Sequence, residues 1–421
     1  MPSWRGWHEW GRGYSPPPHG RGWGWGGGLA RYPRDFPGLL TPEGQPWHYL
    51  DTAATAQKPR AVIDAMARAL GADYATVHRG VYARSANMTL AYEAARRRVA
   101  GFIGAQEDEI VFVRGATEGI NLVAQSWGGA NLQPGDRILL SQLEHHSNIV
   151  PWQMIAERMG AQIDVVPLTQ DGRIDLEAME RIITPQHKMV ALAHVSNVLG
   201  STLDVRASDI AHSVGAVILI DGCQAVPRLA VDVRQIGCDF YVFSAHKLYG
   251  PTGIGALWGR KELLDAMPPY QGGGSMIDRV TFARTTYAPA PTRFEAGTPA
   301  ITSKRSGLRG DRLCGGDRDP RAIHAHEVAL VRQAREALSA INSVRLFGPE
   351  DSAGIVSFEV EGVHPHDVGT ILDEKCRHPR RASLRAAADG ASWVFPPPRG
   401  RALAFTATRV TSPHWCEESN E

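Results

Sequence analysis

Cysteine is scarce in this chain: five in 421 residues, at Cys223, Cys238, Cys314, Cys376 and Cys416, with no two in a CxxC pair. That scatter excludes a disulfide framework and a zinc knuckle, and it points to a reducing compartment. No apolar run reaches the roughly 18 residues that a membrane-crossing helix needs, and the N-terminus lacks the apolar stretch of a secretory signal. An excess of one charge is missing too. Against 45 Lys and Arg stand 44 Asp and Glu, so neither nucleic acid nor a membrane surface is favoured as a partner. Adjacent His145 and His146 have no carboxylate cluster beside them and cannot easily share one ion, so no metal site is expected. What remains is the expectation of a soluble cytoplasmic protein, long enough for a large and a smaller core.

Residues 1–33 stand apart. They are crowded with Gly, Pro and Arg and carry Trp4, Trp7, Trp10, Trp23 and Trp25 without any period, so they cannot pack a core of their own. The segment reads as disordered sequence, or as translation from a start codon placed too far upstream; an aromatic arm for a partner is the alternative. Residues 34–59 read as an N-terminal arm.

From residue 60 to 301 short apolar runs alternate with helical stretches. Glu109–Val113, Arg137–Ser141, Ile163–Leu168, Met189–Val195, Ala216–Ile220, Phe240–Phe243 and Ile254–Trp258 read as strands. Ala91–Ile103 and Leu176–Ile183 read as helices, the second with Asp175 as N-cap. Such alternation predicts an α/β domain with a mostly parallel sheet covered on both faces, whose ligands sit at the carboxyl ends of the strands. A helix at His324–Ile341 and further pieces to residue 375 suit a smaller α+β C-terminal domain over 302–421. Within it, residues 302–320 and 376–421 are rich in Arg, Gly and Pro, and their apolar residues follow no period.

The chemistry gathers at strand ends. SAHKLYGPTGIG, from Ser244 to Gly255, follows an apolar strand. A partly desolvated lysine there, Lys247, becomes nucleophilic and suits a Schiff base, and Ser244 and His246 can donate to a phosphate. Upstream, AVILI runs into Asp221 of DGCQAV. A carboxylate there can pair with the protonated pyridine nitrogen of pyridoxal phosphate and keep the ring an electron sink. The competing reading makes Asp221 a helix N-cap with Gln224 at N3; Gln224 can equally reach the cofactor's phenolate oxygen. RGATEGINLVA sets Gly115, Thr117 and Glu118 at a helix N-terminus, an anion site suited to phosphate. LEHHSNIVPWQ brings His145, whose ring can stack on the cofactor and move protons. HVSNVLG brings Asn197, and RFEAGTP brings Gly297 and Thr298.

Together with YLDTAATAQKP (Tyr49–Pro59), HRGVY and GGGSMI, these runs resemble the SUF-type (group II) cysteine desulfurases, from about residue 34 to 301 and again from 321 to 375. The resemblance implies pyridoxal-phosphate transferase fold type I and a homodimer with active sites at the subunit interface. It also implies conversion of L-cysteine, and by extension L-selenocysteine, to alanine, with sulfur passed to an acceptor protein of the SUF system for iron–sulfur cluster assembly. On it, Lys247 holds the cofactor and shuttles protons, Asp221 meets the pyridine nitrogen, Gln224 the phenolate oxygen, and His145 stacks on the ring. Thr117, Ser244 and His246 hold the phosphate with Thr298 of a neighbouring subunit; Glu118 belongs to the same loop; Asn197 positions ring and substrate. Another class-V aminotransferase or lyase, or an inactive pyridoxal-phosphate-binding protein, is the alternative.

Two family motifs are missing: RxGHHCAxP, which carries the sulfur-accepting cysteine, and a C-terminal RAS whose arginine holds the substrate carboxylate. Cys376 stands near the first, in the unlike surroundings KCRHPRR. Reading-frame shifts account for both losses. HPRRASLRAAADGA (His378–Ala391) admits codons that one base on read IRAGHHCAQPLME. Arg399–Ser419 can be coded so that a two-base shift gives RASFGIYSDEGDIAALVRGI, and Gly310–Asp319 so that one base gives AIAYVAAIG. A chain made as written is then expected to bind the cofactor with little or no desulfurase activity.

Overall fold

The computed structural model describes residues 35–45, 47–303 and 320–375, with the strand residues 382–383, 385–386 and 403–406. The Trp-rich stretch 1–33, most of 302–320 and most of 376–421 lie outside the described residues, as do Cys376 and, apart from those strand residues, the segments that carry the frame-shift readings.

All seven expected runs form strands of one sheet: β1 (Ile110–Val113), β2 (Arg137–Ser141), β3 (Gln162–Val166), β4 (His187–Ala193), β5 (Val217–Asp221), β6 (Phe240–Ser244) and β7 (Gly255–Gly259). Their order is β1-β7-β6-β5-β4-β2-β3. Strands β2 to β6 pair in parallel, whereas β7 is antiparallel to both β1 and β6. Therefore β1 points the same way as β6, and the carboxyl ends of β1, β2, β4, β5 and β6 open at one edge of the sheet.

The runs are apolar because both faces are covered. Alternate side chains go to opposite faces: Val190, Leu192, Ile218 and Ile220 enter one core, and Met189, Ala191 and Leu219 the other. The first core is closed by α2 (Ala83–Phe102), α5 (Leu176–Ile182) and α6 (Arg206–Ser213), the second by α3 (Ala116–Val123) and α4 (Val150–Met159). A further helix, α1 (Arg60–Leu70), follows the N-terminal arm. Each fully buried Ile, Leu or Val contributes about 1.5–3 kcal/mol relative to exposure. Edge strand β3 carries polar groups instead, including Asp164 paired with Arg137, which discourages further strand addition. Helix α2 begins eight residues before the expected Ala91, because the buried stripe Ser85, Met88, Tyr92 continues upstream with helical spacing. Asp175 caps α5 as expected, accepting from the Ala178 amide at 2.9 Å.

The smaller unit contains α7 (Pro320–Ser339), β8 (Val344–Phe347), β9 (Ile355–Val360), α8 (Pro365–Lys375), β10 (Arg385–Ala386) and β11 (Leu403–Thr406). Its strands are antiparallel in the order β8-β9-β11-β10. Val331 and Ala334 of α7 are buried on Val356. Part of the tail thus enters the small sheet, where sequence pattern alone gave it no strand. The unit docks on the large domain through the turn before β9: the Ala353 amide donates to the Gly200 carbonyl at 2.9 Å. Among the described residues no helix is long and apolar enough to cross a membrane.

Candidate active site

The loop after β1 turns into α3 so tightly that backbone replaces side chain. A Cβ on Gly255 would sit 2.8 Å from the Gly115 Cα and 2.6 Å from the Phe243 carbonyl oxygen. This close approach lets the Ala116 amide, at the start of α3, donate to the Ser244 hydroxyl oxygen at 2.8 Å. The Cys223 thiol lies 3.7 Å from the same oxygen. Ser244 is therefore used as an acceptor, and its own O–H is left to donate. Thr117 Oγ1 and Ser147 Oγ stand 2.8 Å apart beside it. Hydroxyls gathered at a helix N-terminus form a donor set for an anion, and a phosphate-bearing cofactor fits it.

Glu118 does not join that set. Its carboxylate folds back, accepting from the Arg114 amide at 2.5 Å and from Arg114 Nε at 3.0 Å. It fixes the turn, and an ionised carboxylate has no hydrogen to donate to a phosphate.

After β2, the half-buried His145 accepts the Ser147 amide on Nδ1 at 3.1 Å. An Nδ1 that accepts leaves the proton of the neutral ring on Nε2. His146 is exposed. Under this loop lies Glu144, fully buried, receiving Ser141 Oγ at 2.5 Å, Asn148 Nδ2 at 2.6 Å and the Ala193 amide at 3.0 Å. Burial pushes its carboxyl up to about 8 against those three donors.

Asp221 ends β5, and no helix follows it. Its Oδ1 accepts the Cys223 amide at 2.9 Å in a turn, and the expected capping box with Gln224 does not form. The turn lies directly on Tyr241, whose ring a Cβ on Gly222 would meet at 2.2 Å. Gln224 instead donates from Nε2 to the Ala53 carbonyl at 2.7 Å and accepts Arg228 Nη1 on Oε1 at 2.9 Å. Cys223 reports the electrostatics: burial pushes its thiol up to about 12, the Asp221 carboxylate adds to the rise, and the Lys247 ammonium opposes it.

Lys247 follows β6 and is half-buried. Its loop is clamped by the N-terminal arm: the His246 carbonyl accepts from the Ala56 amide at 3.0 Å and Lys58 Nζ at 2.9 Å, while His246 Nδ1 pairs with Thr55 Oγ1 at 3.1 Å. Burial, then the charges of Lys247 and Lys58, pull His246 down to about 4, so it acts as a neutral N–H donor near pH 7. Burial alone lowers Lys58 to about 8. Asn197 is half-buried in a loop shaped by Ser196, whose Oγ accepts the Val198 and Leu199 amides. Thr298 is exposed, beyond Gly297, whose amide donates to the Gly274 carbonyl. Thr55, Lys58, Ser147 and Arg228 carried no signal in the sequence.

One pH dependence follows from His194, whose amide donates to the Asp221 carbonyl and whose Nδ1 pairs with Tyr241 Oη at 2.9 Å. Burial holds it down at about 4. Between about 6.5 and about 4 the unfolded chain binds the extra proton and the folded one does not. Stability is therefore present above about 6.5 and is lost as pH falls through about 4, by at most about 3 kcal/mol for this group. Urea unfolding at pH 7 and pH 5 measures the loss; His194→Gln, which cannot titrate, should reduce the difference between the two pH values.

Among the described residues no group of three His, Cys, Asp or Glu is placed to hold a metal ion. The aminotransferase class-V family model matches residues 48–377. A cysteine desulfurase of Klebsiella pneumoniae (strain 342) is 49% identical over 350 residues, covering 82% of this chain and 86% of that protein. A probable cysteine desulfurase of Vibrio cholerae is 44% identical over 347 residues, covering 80% and 86%. The crystal structure of the cysteine desulfurase CsdA from Escherichia coli superposes with a TM-score of 0.83 at 36% identity, covering 93% of this chain and 96% of that one. Fold, strand-end loops and likeness converge: this chain belongs to the class-V aminotransferase family, among the cysteine desulfurases, and is a pyridoxal-phosphate-dependent enzyme.

Proposed function

We propose that the site acts on L-cysteine, and by the same chemistry on L-selenocysteine, releasing alanine and passing sulfur to an acceptor protein of a SUF-type system that builds iron–sulfur clusters in the cytoplasm. The observation that carries this reading is the chain of contacts across the strand ends: Asp221 accepts the Cys223 amide, the Cys223 thiol lies 3.7 Å from Ser244 Oγ, and Ser244 accepts the Ala116 amide at the hydroxyl-lined start of α3.

When bound, pyridoxal phosphate supplies a sink for the electron pair at the substrate's α-carbon. Lys247 is the residue that holds it and then carries protons at Nζ. Asp221 keeps the pyridine nitrogen protonated, and Gln224 donates to the phenolate oxygen. His145 would lie against the ring and would offer the proton on Nε2, since its Nδ1 accepts the Ser147 amide. Ser244 and Thr117 donate hydroxyls to the phosphate, and His246 donates a neutral N–H. Thr298 from the second subunit of a homodimer completes that set, and Asn197 positions ring and substrate.

The sulfur-accepting thiol belongs in this reading to the altered frame near 376–421. Neither described cysteine can serve as that nucleophile, because burial raises both Cys223 and Cys238 and leaves neither a thiolate near pH 7. The frame readings of 310–319, 378–391 and 399–419 join this proposal, and resequencing the gene tests them directly: an uninterrupted frame through residues 376–421 would sink that part. Product analysis tests the activity. With an added thiol reductant to free the transferred sulfur, equal amounts of alanine and sulfide from L-cysteine support a desulfurase; a keto acid formed with an amino acceptor would replace it with an aminotransferase.

Asp221→Ala, in the frame-restored chain, should retain cofactor but lose about a hundredfold to ten-thousandfold in turnover, since the uncharged pyridine is a poor electron sink. Steady-state sulfide assays with excess cofactor check this.

A further inference from the structure

A buried ion pair ties the small unit to the site. Arg228 and Glu327 are 2% and 3% exposed, one in the turns after β5, the other on α7, with Arg228 Nε 3.4 Å from Glu327 Oε2. Gly354, at φ +68°, packs on both: a Cβ there would lie 2.9 Å from Glu327 Oε2 and 3.0 Å from Arg228 Nε. Charges buried this deeply are kept only when paired. The pair does not end on itself. Arg228 Nη1 donates to the Gln224 carbonyl at 2.8 Å and to Gln224 Oε1 at 2.9 Å, while Gln224 Nε2 donates to the Ala53 carbonyl.

That arrangement fixes which way the Gln224 amide points. A guanidinium only donates and a carbonyl only accepts, so both neighbours demand the same orientation. Of the two amide hydrogens, one goes to Ala53, and the second is the one available to a cofactor oxygen. We propose that Arg228 and Glu327 are positioning residues for Gln224: Glu327 on α7 anchors Arg228, Arg228 holds Oε1, and the remaining N–H of Nε2 is thereby presented to the cofactor. This rests on the reading of Gln224 as the donor to the phenolate oxygen. The small unit then influences the cofactor's electronics through its docking, without touching it.

The test is the pH titration of the visible absorbance of the holoenzyme. A hydrogen bond to the phenolate oxygen stabilises its charged form and so lowers the proton affinity of the neighbouring lysine–cofactor nitrogen. Gln224→Leu should therefore raise the midpoint by about half to one pH unit, a threefold to tenfold change. Arg228→Met with Glu327→Leu removes both charges and keeps the volume, so the variant should fold. It should keep the visible band, move its midpoint the same way, and give no further shift when Gln224→Leu is added. If Gln224→Leu shifts the midpoint and the double variant titrates like the wild type, the positioning role falls while the reading of Gln224 stands. If Gln224→Leu itself leaves the midpoint unmoved, both fall. Should the double variant not fold, Arg228→Lys decides: a lysine lacks the fork that reaches Gln224 and Glu327 together, so the midpoint should still rise, and an unmoved midpoint overturns the proposal.

Discussion

Lys247→Ala should bind pyridoxal phosphate without covalent attachment: its visible lysine-linked absorbance disappears, and turnover of L-cysteine in the frame-restored chain falls at least about a thousandfold. The size follows from two losses at one atom, the amine that holds the cofactor and the group that moves protons. Lys247→Arg should fail equally, because a guanidinium stays protonated and is no nucleophile. Neither change should unfold the protein. Lys247 is only half-buried, and the loop that carries it is held through the His246 carbonyl, which accepts from the Ala56 amide and from Lys58 Nζ. Thermal unfolding close to wild type, alongside the lost absorbance, separates this outcome from a general loss of structure.

The second large effect concerns sulfur. Expressed as written, the chain should take up the cofactor yet release sulfide from L-cysteine at least about a thousandfold more slowly than the same chain carrying the frame-restored segments, the scale on which nucleophiles matter in covalent catalysis. The described cysteines cannot substitute, since burial holds Cys223 at about 12 and Cys238 higher still. Slow β-elimination, giving pyruvate with ammonia and sulfide, or slow transamination, giving mercaptopyruvate, is then the residual chemistry. Side-by-side assays of alanine and sulfide, with a thiol reductant present, decide the point; equal rates of alanine formation from the two chains would remove the argument for altered frames. Changing Cys to Ser in the restored GHHCA segment should return the rate to that of the chain as written.

The sheet was legible in the sequence because its strands are buried on both faces, so their apolar runs stand out against the polar helix faces. The strand-end placement of Lys247, Asp221, His145, Thr117 and Ser244 was legible for a related reason: each ends or follows an apolar run, and strand ends are where such sheets bind ligands. Three features resisted. The clamp of Lys58 on His246 spans 188 residues, and the bond from Gln224 to Ala53 spans 171, separations over which no periodicity speaks. The Arg228–Glu327 pair joins two units and looks in sequence like two ordinary helix-surface charges. The bonds of Glu118 to Arg114 were not legible either, because its position at a helix start suits an anion site. Gln224, read as either cap or cofactor contact, turned out to be held by a turn instead of a helix.

Lys58 sharpens the decisive experiment, for it is a second partly desolvated amine, lowered to about 8, within the same knot of loops. Borohydride reduction of the cofactor-loaded protein fixes the pyridoxyl group to whichever amine holds it, and peptide mass spectrometry then locates it. The prediction is a single modified site at Lys247, in the peptide spanning Ser244–Gly250. Modification at Lys58 or another lysine, or none at all, would contradict it.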